Sequence, residues 1–206
     1  STIVNAAVFK ADYDNFQANN FFFIGTTLVT TLTNAGKVST QGFELDLLSK
    51  PSDILSLSGG IAYTDAQIDE FFTPPGSTPT AVKGDPLPLA PKWKGSLSAE
   101  WRLQFTAVDV LPGFTASYQS EQFSDIGRRA ALADRRIAPY GTLDATLAIA
   151  DKDDRWRLTF IGRNLTDESY AALLQRGGPG GAIRYIIPRE ADRYFGAQFR
   201  MNFGGR

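Results

Sequence analysis

The residues able to do chemistry are carboxylates, lysines and arginines, because the 206-residue chain contains neither histidine nor cysteine. That removes the commonest general base, the usual zinc ligands, a Ser-His-Asp triad and any thiol or disulfide chemistry. Glu44, Asp46 and Glu100 are spaced as acids on a common strand face, where paired carboxylates could move protons. Lys92, Lys94 and Arg102 share that polarity, so ion pairing is the simpler role. Asp151-Lys152-Asp153-Asp154 resembles the start of a calcium loop. The sixth and twelfth positions are Trp156 and Gly162 rather than glycine and glutamate, so the reading is a solvated turn. Gly177-Gly178-Pro179-Gly180-Gly181 lacks the Lys-Ser/Thr of a phosphate loop. The most promising cluster is Arg128, Arg129, Arg135 and Arg136, with Tyr185, Tyr170, Arg176, Arg184 and Arg189 in a later polar stretch. A guanidinium is a planar fork that fits carboxylate or phosphate. Arg128, Arg129, Arg135, Arg136 and Tyr185 are therefore the candidate ligand contacts. The competing role is ion pairing with Asp125, Asp134 and Glu190.

The elements that must carry these residues alternate with a period of two. From Arg193 to Phe203, Phe195, Ala197, Phe199, Met201 and Phe203 fall on one face and Tyr194, Gly196, Gln198, Arg200 and Asn202 on the other. That is a β-strand between two different solvents. Seven earlier segments repeat it: about 3–17, 36–49, 54–66, from 91 to beyond 101, around 114–119, 140–150 and 155–164. In the fourth, Trp93, Leu97 and Trp101 oppose Lys94, Ser98 and Arg102. About nine to eleven such residues cross a bilayer as a tilted strand.

Connections after the second, fourth and sixth segments are short. Those after the first, third, fifth and seventh are long, including 67–90 and 165–192. Such parity characterises outer-membrane barrels, with short turns on one side and long loops on the other. No charge occurs between Asp14 and Lys37. This stretch could span a membrane, but its threonines, asparagines and glutamine indicate a strand end and an uncharged loop over about 18–33. A net charge of −1 leaves no footprint for nucleic acid. The sequence opens without a signal peptide, which is expected of a mature chain or of a piece of a longer one. The fold expected is all-β, a transmembrane antiparallel barrel. A soluble β-sandwich binding module and a free-standing eight-stranded barrel stand as alternatives.

Four strings, in order, add a resemblance. Gly36-Lys37 through Gln41-Gly42-Phe43-Glu44-Leu45, Leu87-Pro88-Leu89-Ala90-Pro91-Lys92-Trp93, Gly162-Arg163-Asn164-Leu165-Thr166-Asp167-Glu168-Ser169-Tyr170 and Pro188-Arg189-Glu190 before the Phe-rich last strand resemble motifs of TonB-dependent outer-membrane receptors. The resemblance implies a barrel of about 22 strands with a plugged lumen, of which this chain supplies about eight C-terminal ones over residues 1–206. It implies as partners the plug and N-terminal strands of the same receptor, TonB acting through that plug, lipid and lipopolysaccharide, and a small-molecule solute. The solute expected from the resemblance is a ferric siderophore or similar chelate, taken up across the outer membrane of a Gram-negative bacterium. No enzyme activity and no cofactor are implied. Asn164-Leu165-Thr166, formally a glycosylation sequon, is then a strand terminus, and the loop arginines face either the solute or lipopolysaccharide phosphates. The first and last segments would be open edges.

Overall fold

The computed structural model describes residues 1–24, 27–72, 80–127, 132–153, 155–176 and 182–203, with the backbone alone for 18–24, 27–35 and 176. Arg128, Arg129, the glycine run at 177–181 and the tail at 204–206 lie outside the described residues. Among the described residues thirteen strands follow in chain order: β1 (Thr2–Ile24), β2 (Thr27–Ser52), β3 (Leu55–Phe71), β4 (Trp93–Trp101), β5 (Leu103–Gln104), β6 (Val108–Gln119), β7 (Gln122–Phe123), β8 (Arg136–Ile137), β9 (Tyr140–Asp151), β10 (Trp156–Arg163), β11 (Leu173–Arg176), β12 (Ile183–Ile186) and β13 (Tyr194–Met201). One antiparallel sheet runs β1-β2-β3-β4-β6-β9-β10-β13, with β5 beside β6; β7–β8 and β11–β12 are separate two-stranded ribbons. The eight segments read from alternation are the eight strands of that path. The sheet is not closed, and β1 and β13 are its free edges.

Alternation sets the two faces. On one, Leu45, Ile61, Leu97, Leu143, Leu147, Phe160, Phe195 and Phe199 are exposed. On the other, Lys94, Ser96, Ser117, Gln119, Thr142 and Asp144 line a cavity of about 870 Å³. A sheet that turns leucine and phenylalanine outward and serine, threonine and charge inward inverts a soluble core, as a barrel in lipid must.

The boundary of the apolar band is marked by a line of directly paired residues, Val8, Phe43, Tyr63 and Trp93. Phe43 stacks on Tyr63 at 5.8 Å and Tyr63 lies 4.9 Å from Trp93. Just beyond it the outward positions become polar: Lys10 pairs Gln41, Asp12 pairs Ser39, and Lys92 bridges Asp65 at 2.8 Å. At the opposite end Trp101 sits 5.9 Å from Phe114. At about 3.4 Å per residue, the nine residues of β4 extend about 27 Å, or about 21 Å at a tilt near 40°. That is close to the apolar height of about 25 Å of such barrels.

The turn end is tied by ion pairs. Arg102 and Lys152 each approach Asp109 at 2.9 Å, and Arg155 donates twice to Asp151, at 2.7 and 3.0 Å. Asp151 thus spends its carboxylate on Arg155, consistent with a hairpin turn rather than a calcium loop.

Above the aromatic line the structure departs from the sequence reading. The uncharged stretch at about 18–33 is a ladder, not a loop: β1 and β2 stay paired to Ile24↔Thr27. Thr, Phe, Val and Ile favour strands, and with no charge on either side the period-two signal vanishes although the strand continues. The ladder is bulged between Tyr13 and Phe16, where Asn15 has φ 58°. Gly36, at φ 141°, pairs with Phe16 beside that bulge, and a Cβ there would run into the Glu70 carbonyl. β3 likewise continues to Phe71. The chain at 80–87 folds back on this extension, where Val38, Ile68 and Ala81 are buried with Phe16, Phe71, Leu87 and Ile126 packed on them. The Ile68 amide donates to Asp85 O (2.9 Å) and the Leu87 amide to Ala66 O (3.1 Å). The loops are joined in turn, Leu89 N to Phe123 O (2.8 Å) and Leu174 N to Ser124 Oγ (2.8 Å).

Candidate functional site

The site at the loop end is organised by one residue, Asn164, which follows β10 and is 1% exposed. Its φ of 47° is left-handed, a conformation asparagine accepts better than most side chains. Its Nδ2 donates to Glu168 O and Ala191 O, both at 3.0 Å. Its Oδ1 accepts from the Glu168 amide (3.1 Å) and the Thr166 hydroxyl (3.0 Å). The Asn164 amide donates to Asp144 Oδ1 at 2.8 Å, and the other Asp144 oxygen takes Arg163 at 2.6 Å. The Leu165 amide donates to Leu143 O at 2.7 Å. These bonds stitch the chain after β10 to the start of β9 and to the approach to β13.

The stitching has a consequence for two tyrosines. Tyr140 opens β9 and Tyr170 ends the stitched segment. Their rings stack 4.0 Å apart and 5° from parallel. Burial raises the Tyr170 hydroxyl above its ordinary value of 10.0, and the Glu190 and Asp144 carboxylates add to the shift. Both tyrosines line two cavities. The inner one, about 870 Å³, also takes in Glu44, Asp46, Lys94, Asp144, Arg163 and Tyr194. The outer cleft, about 240 Å³, is walled by Arg136, Pro139, Glu168, Leu174, Tyr185 and Ile187. Arg189 lies over the Tyr194 ring at 6.0 Å.

Of the candidate contacts, Arg136 and Tyr185 come together in the outer cleft. Tyr185 is 66% exposed and pairs with Leu174 across β11–β12. The Arg136 Nε donates to Glu121 at 2.6 Å. Arg135 is absent from the cleft lining and is held by Asp125, with Asp134 at 3.5 Å. Two of the arginines thus have carboxylate partners already. Glu100 meets Arg157 at 3.5 Å instead of Lys92, Lys94 or Arg102, because Lys92 and Arg102 are drawn to Asp65 and Asp109. Glu44, Asp46 and Lys94 have no ion-pair partner among the described residues and face the inner cavity. The sequence reading took Asn164 as a strand terminus and missed its role as an organiser. Its signal lay in the Asn-Leu-x-Asp-x-x-Tyr string, whose last residue is Tyr170.

Comparisons with known proteins agree with this geometry. No curated protein sequence matches the chain. Among solved structures, the ferric yersiniabactin uptake receptor FyuA from Yersinia pestis superposes with a TM-score of 0.76 at 20% identity, over 98% of this chain and 28% of FyuA. The siderophore receptor PiuA from Acinetobacter baumannii gives 0.68 at 20% identity, over 96% and 25%. The ferric-catecholate import receptor Fiu from K12 E. coli, in its closed form, gives 0.67 at 20%, over 98% and 25%. The chain therefore spans between a quarter and a third of the length of these receptors, and at that identity the likeness is one of fold. Residues 1–165 match the family described as TonB dependent receptor-like, beta-barrel, and the chain belongs to that family.

Proposed function

We propose that the chain is the C-terminal portion of an outer-membrane receptor that takes up a scarce solute, most simply a ferric siderophore or similar chelate, into a Gram-negative cell. The preceding strands and a plug come from the rest of the same receptor, and TonB acts through that plug to drive transport. The observation that carries the reading is the inverted sheet with two free edges. Unpaired backbone in lipid costs several kcal/mol per group, so β1 and β13 require neighbouring strands. The edges also speak against a free-standing eight-stranded barrel. Glu44, Asp46 and Lys94, without an ion-pair partner among the described residues, suit contact with a plug from the inner wall, and the outward aromatic line suits the lipid and lipopolysaccharide interface. Arg128, Arg129, Arg135, Arg136 and Tyr185 are the proposed solute contacts. Arg135 and Arg136 would exchange their carboxylate partners for the solute.

The test is radiolabelled iron uptake from a panel of chelates by iron-starved cells, with and without the full-length receptor and with and without TonB. Uptake of one chelate that needs both supports the proposal. Uptake of no chelate, or uptake independent of TonB, refutes it.

A further inference from the structure

Between the chain after β3 and the chain after β6 lies a further cavity, of about 280 Å³, that none of the roles above uses. Its walls are tied together. The Ser120 amide donates to Trp93 O at 2.8 Å and the Trp93 amide to Ser120 Oγ at 3.0 Å. Gln67 bridges Pro86, and the Leu89 amide reaches Phe123 O at 2.8 Å. The charges beside the cavity are paired with one another. Lys92 bridges Asp65 at 2.8 Å, and Glu121 accepts from Arg136 Nε at 2.6 Å. Its carboxamides are not paired. Gln122 is 8% exposed, yet its side-chain amide has no hydrogen-bond partner among the described residues, and neither has that of Gln67. Neither amide is among the buried atoms shut off from open space. Gln122 also borders an inner-wall cavity of about 380 Å³, whereas Gln67 borders this one. An amide left unpaired at such depth costs free energy that a ligand would recover. We propose that the cavity binds one ring of a neutral, hydroxyl-rich ligand, a saccharide.

The case rests on size, charge and polarity. At about 280 Å³ the cavity falls short of the roughly 300 Å³ at which pockets for whole drug-sized ligands begin, so it takes one ring rather than a chelate. A charged group would have to break the Asp65–Lys92 or the Glu121–Arg136 pair to find a counter-ion, and a neutral one need not. A carboxamide presents donors and an acceptor side by side, and the Ser120 hydroxyl both donates and accepts. Vicinal hydroxyls of a sugar match such groups in pairs. Trp93, Pro86 and Phe123 add apolar surface, which suits the C–H faces of the ring. Trp93 stands on the aromatic line, with Asp65 and Lys92 just beyond it, at the height where lipid gives way to water. Two sources bring sugar to that height: the headgroup of a glycolipid in the outer leaflet, and a free saccharide outside the cell.

The test is saturation-transfer NMR on the full-length receptor, stripped of lipopolysaccharide and held in a detergent without sugars. The probes are the methyl glycosides of glucose, galactose, mannose and N-acetylglucosamine, with glucuronate and glucosamine as charged controls. At least one neutral glycoside should bind, and neither charged control should bind more tightly. Gln122→Leu and Gln67→Leu should each weaken that glycoside about three- to tenfold, the loss expected for one hydrogen bond. Gln198→Leu, on β13 and outside this cavity, should leave it unchanged. Gln67 is only partly buried, so its variant carries the test if Gln122→Leu fails to assemble. Adding lipopolysaccharide back separates the two sources: displacement of the glycoside assigns the site to the lipid headgroup, and undiminished binding assigns it to a free saccharide. Binding of no glycoside, tighter binding of a charged control, or an affinity that survives both leucine variants overturns the site. None of these measurements needs TonB or transport. A failure here therefore leaves the uptake reading standing, and a failure of uptake leaves this site standing.

Discussion

Asn164→Ala in the full-length receptor is the sharpest perturbation. It deletes a side chain that is 1% exposed and makes four hydrogen bonds. The groups left behind are not equal. Glu168 is exposed, so water re-solvates its amide and carbonyl at small net cost. Ala191 is 2% exposed, and its carbonyl loses its partner where water does not readily enter, at about 1–3 kcal/mol. Alanine at the φ of 47° adds about 1–2 kcal/mol of left-handed strain. Together these come to about 3 kcal/mol, acting on the local opening of the segment rather than on the strands. At 1.4 kcal/mol per tenfold, hydrogen exchange at the Leu165 amide, now bonded to Leu143 O, should accelerate about a hundredfold. The strand ladders should keep their protection. Asn164→Gly removes the same bonds without the strain and should be milder by about 1–2 kcal/mol. Unchanged Leu165 protection in the alanine variant, or glycine as damaging as alanine, would refute the assignment of Asn164 as the organiser of this end.

Other outcomes follow from the same structure. Spin labels at Leu97, Leu143, Leu147, Phe160 and Phe199 should report lipid and those at Lys94, Ser98, Thr142 and Gln198 water. Leu97→Arg should destabilise the assembled receptor by about 2–4 kcal/mol, the midplane cost of arginine on a lipid face, whereas Ser96→Arg, on the inner face, should not; equal effects would sink the facing. Residues 1–206 expressed alone should give no heat-modifiable barrel, and co-expression with the missing strands should restore one; a closed monomer from the chain alone defeats the receptor-wall reading. Replacing Arg128, Arg129, Arg135 and Arg136 with glutamine should weaken solute binding without affecting assembly; unchanged affinity at low and physiological salt moves the site elsewhere. Because the folded-state pKa of Tyr170 is raised, the stability its neutral form contributes is fully present below the unfolded pKa of about 10 and is lost as pH rises through the folded value. Difference absorbance between wild type and Tyr170→Phe should therefore show this residue ionising above the ordinary tyrosine value of 10.0, and ionisation at or below that value would contradict its burial.

The eight membrane strands were legible because two solvents imposed strict alternation; Trp93 to Trp101 could be read off directly, as could the facing of Leu97 against Ser98. The β1–β2 extension was not, because the sequence there carries no charge and runs such as Thr30-Thr31 give a period of two nothing to alternate. The short ribbons β7–β8 and β11–β12 pair residues far apart in sequence, with Gln122 opposite Ile137, and no local pattern specifies such pairing. The ligand cluster was legible in composition only. Asp125 and Asp134 were named in advance as competing partners, and Arg135 takes both, but Glu121, the partner of Arg136, depends on how the loop folds back. The Tyr140–Tyr170 stack was hidden for the same reason. Asn164 lay inside a quoted string, yet its four bonds reach as far as Ala191, and only the closed segment reveals why asparagine stands there.

The bonds from Leu89 to Phe123 and from Leu174 to Ser124 bear on how such a receptor can be re-engineered. Surface loops on a barrel are commonly imagined as independent cassettes that can be swapped to change what is captured. Here a graft replacing the segment after β3 would orphan the Phe123 carbonyl. One replacing the segment after β6 would strip acceptors from both neighbours. Chimeras that exchange all three segments as a block should display correctly, and single-segment chimeras should not. Diversification by recombination would then work on the block as its unit of inheritance.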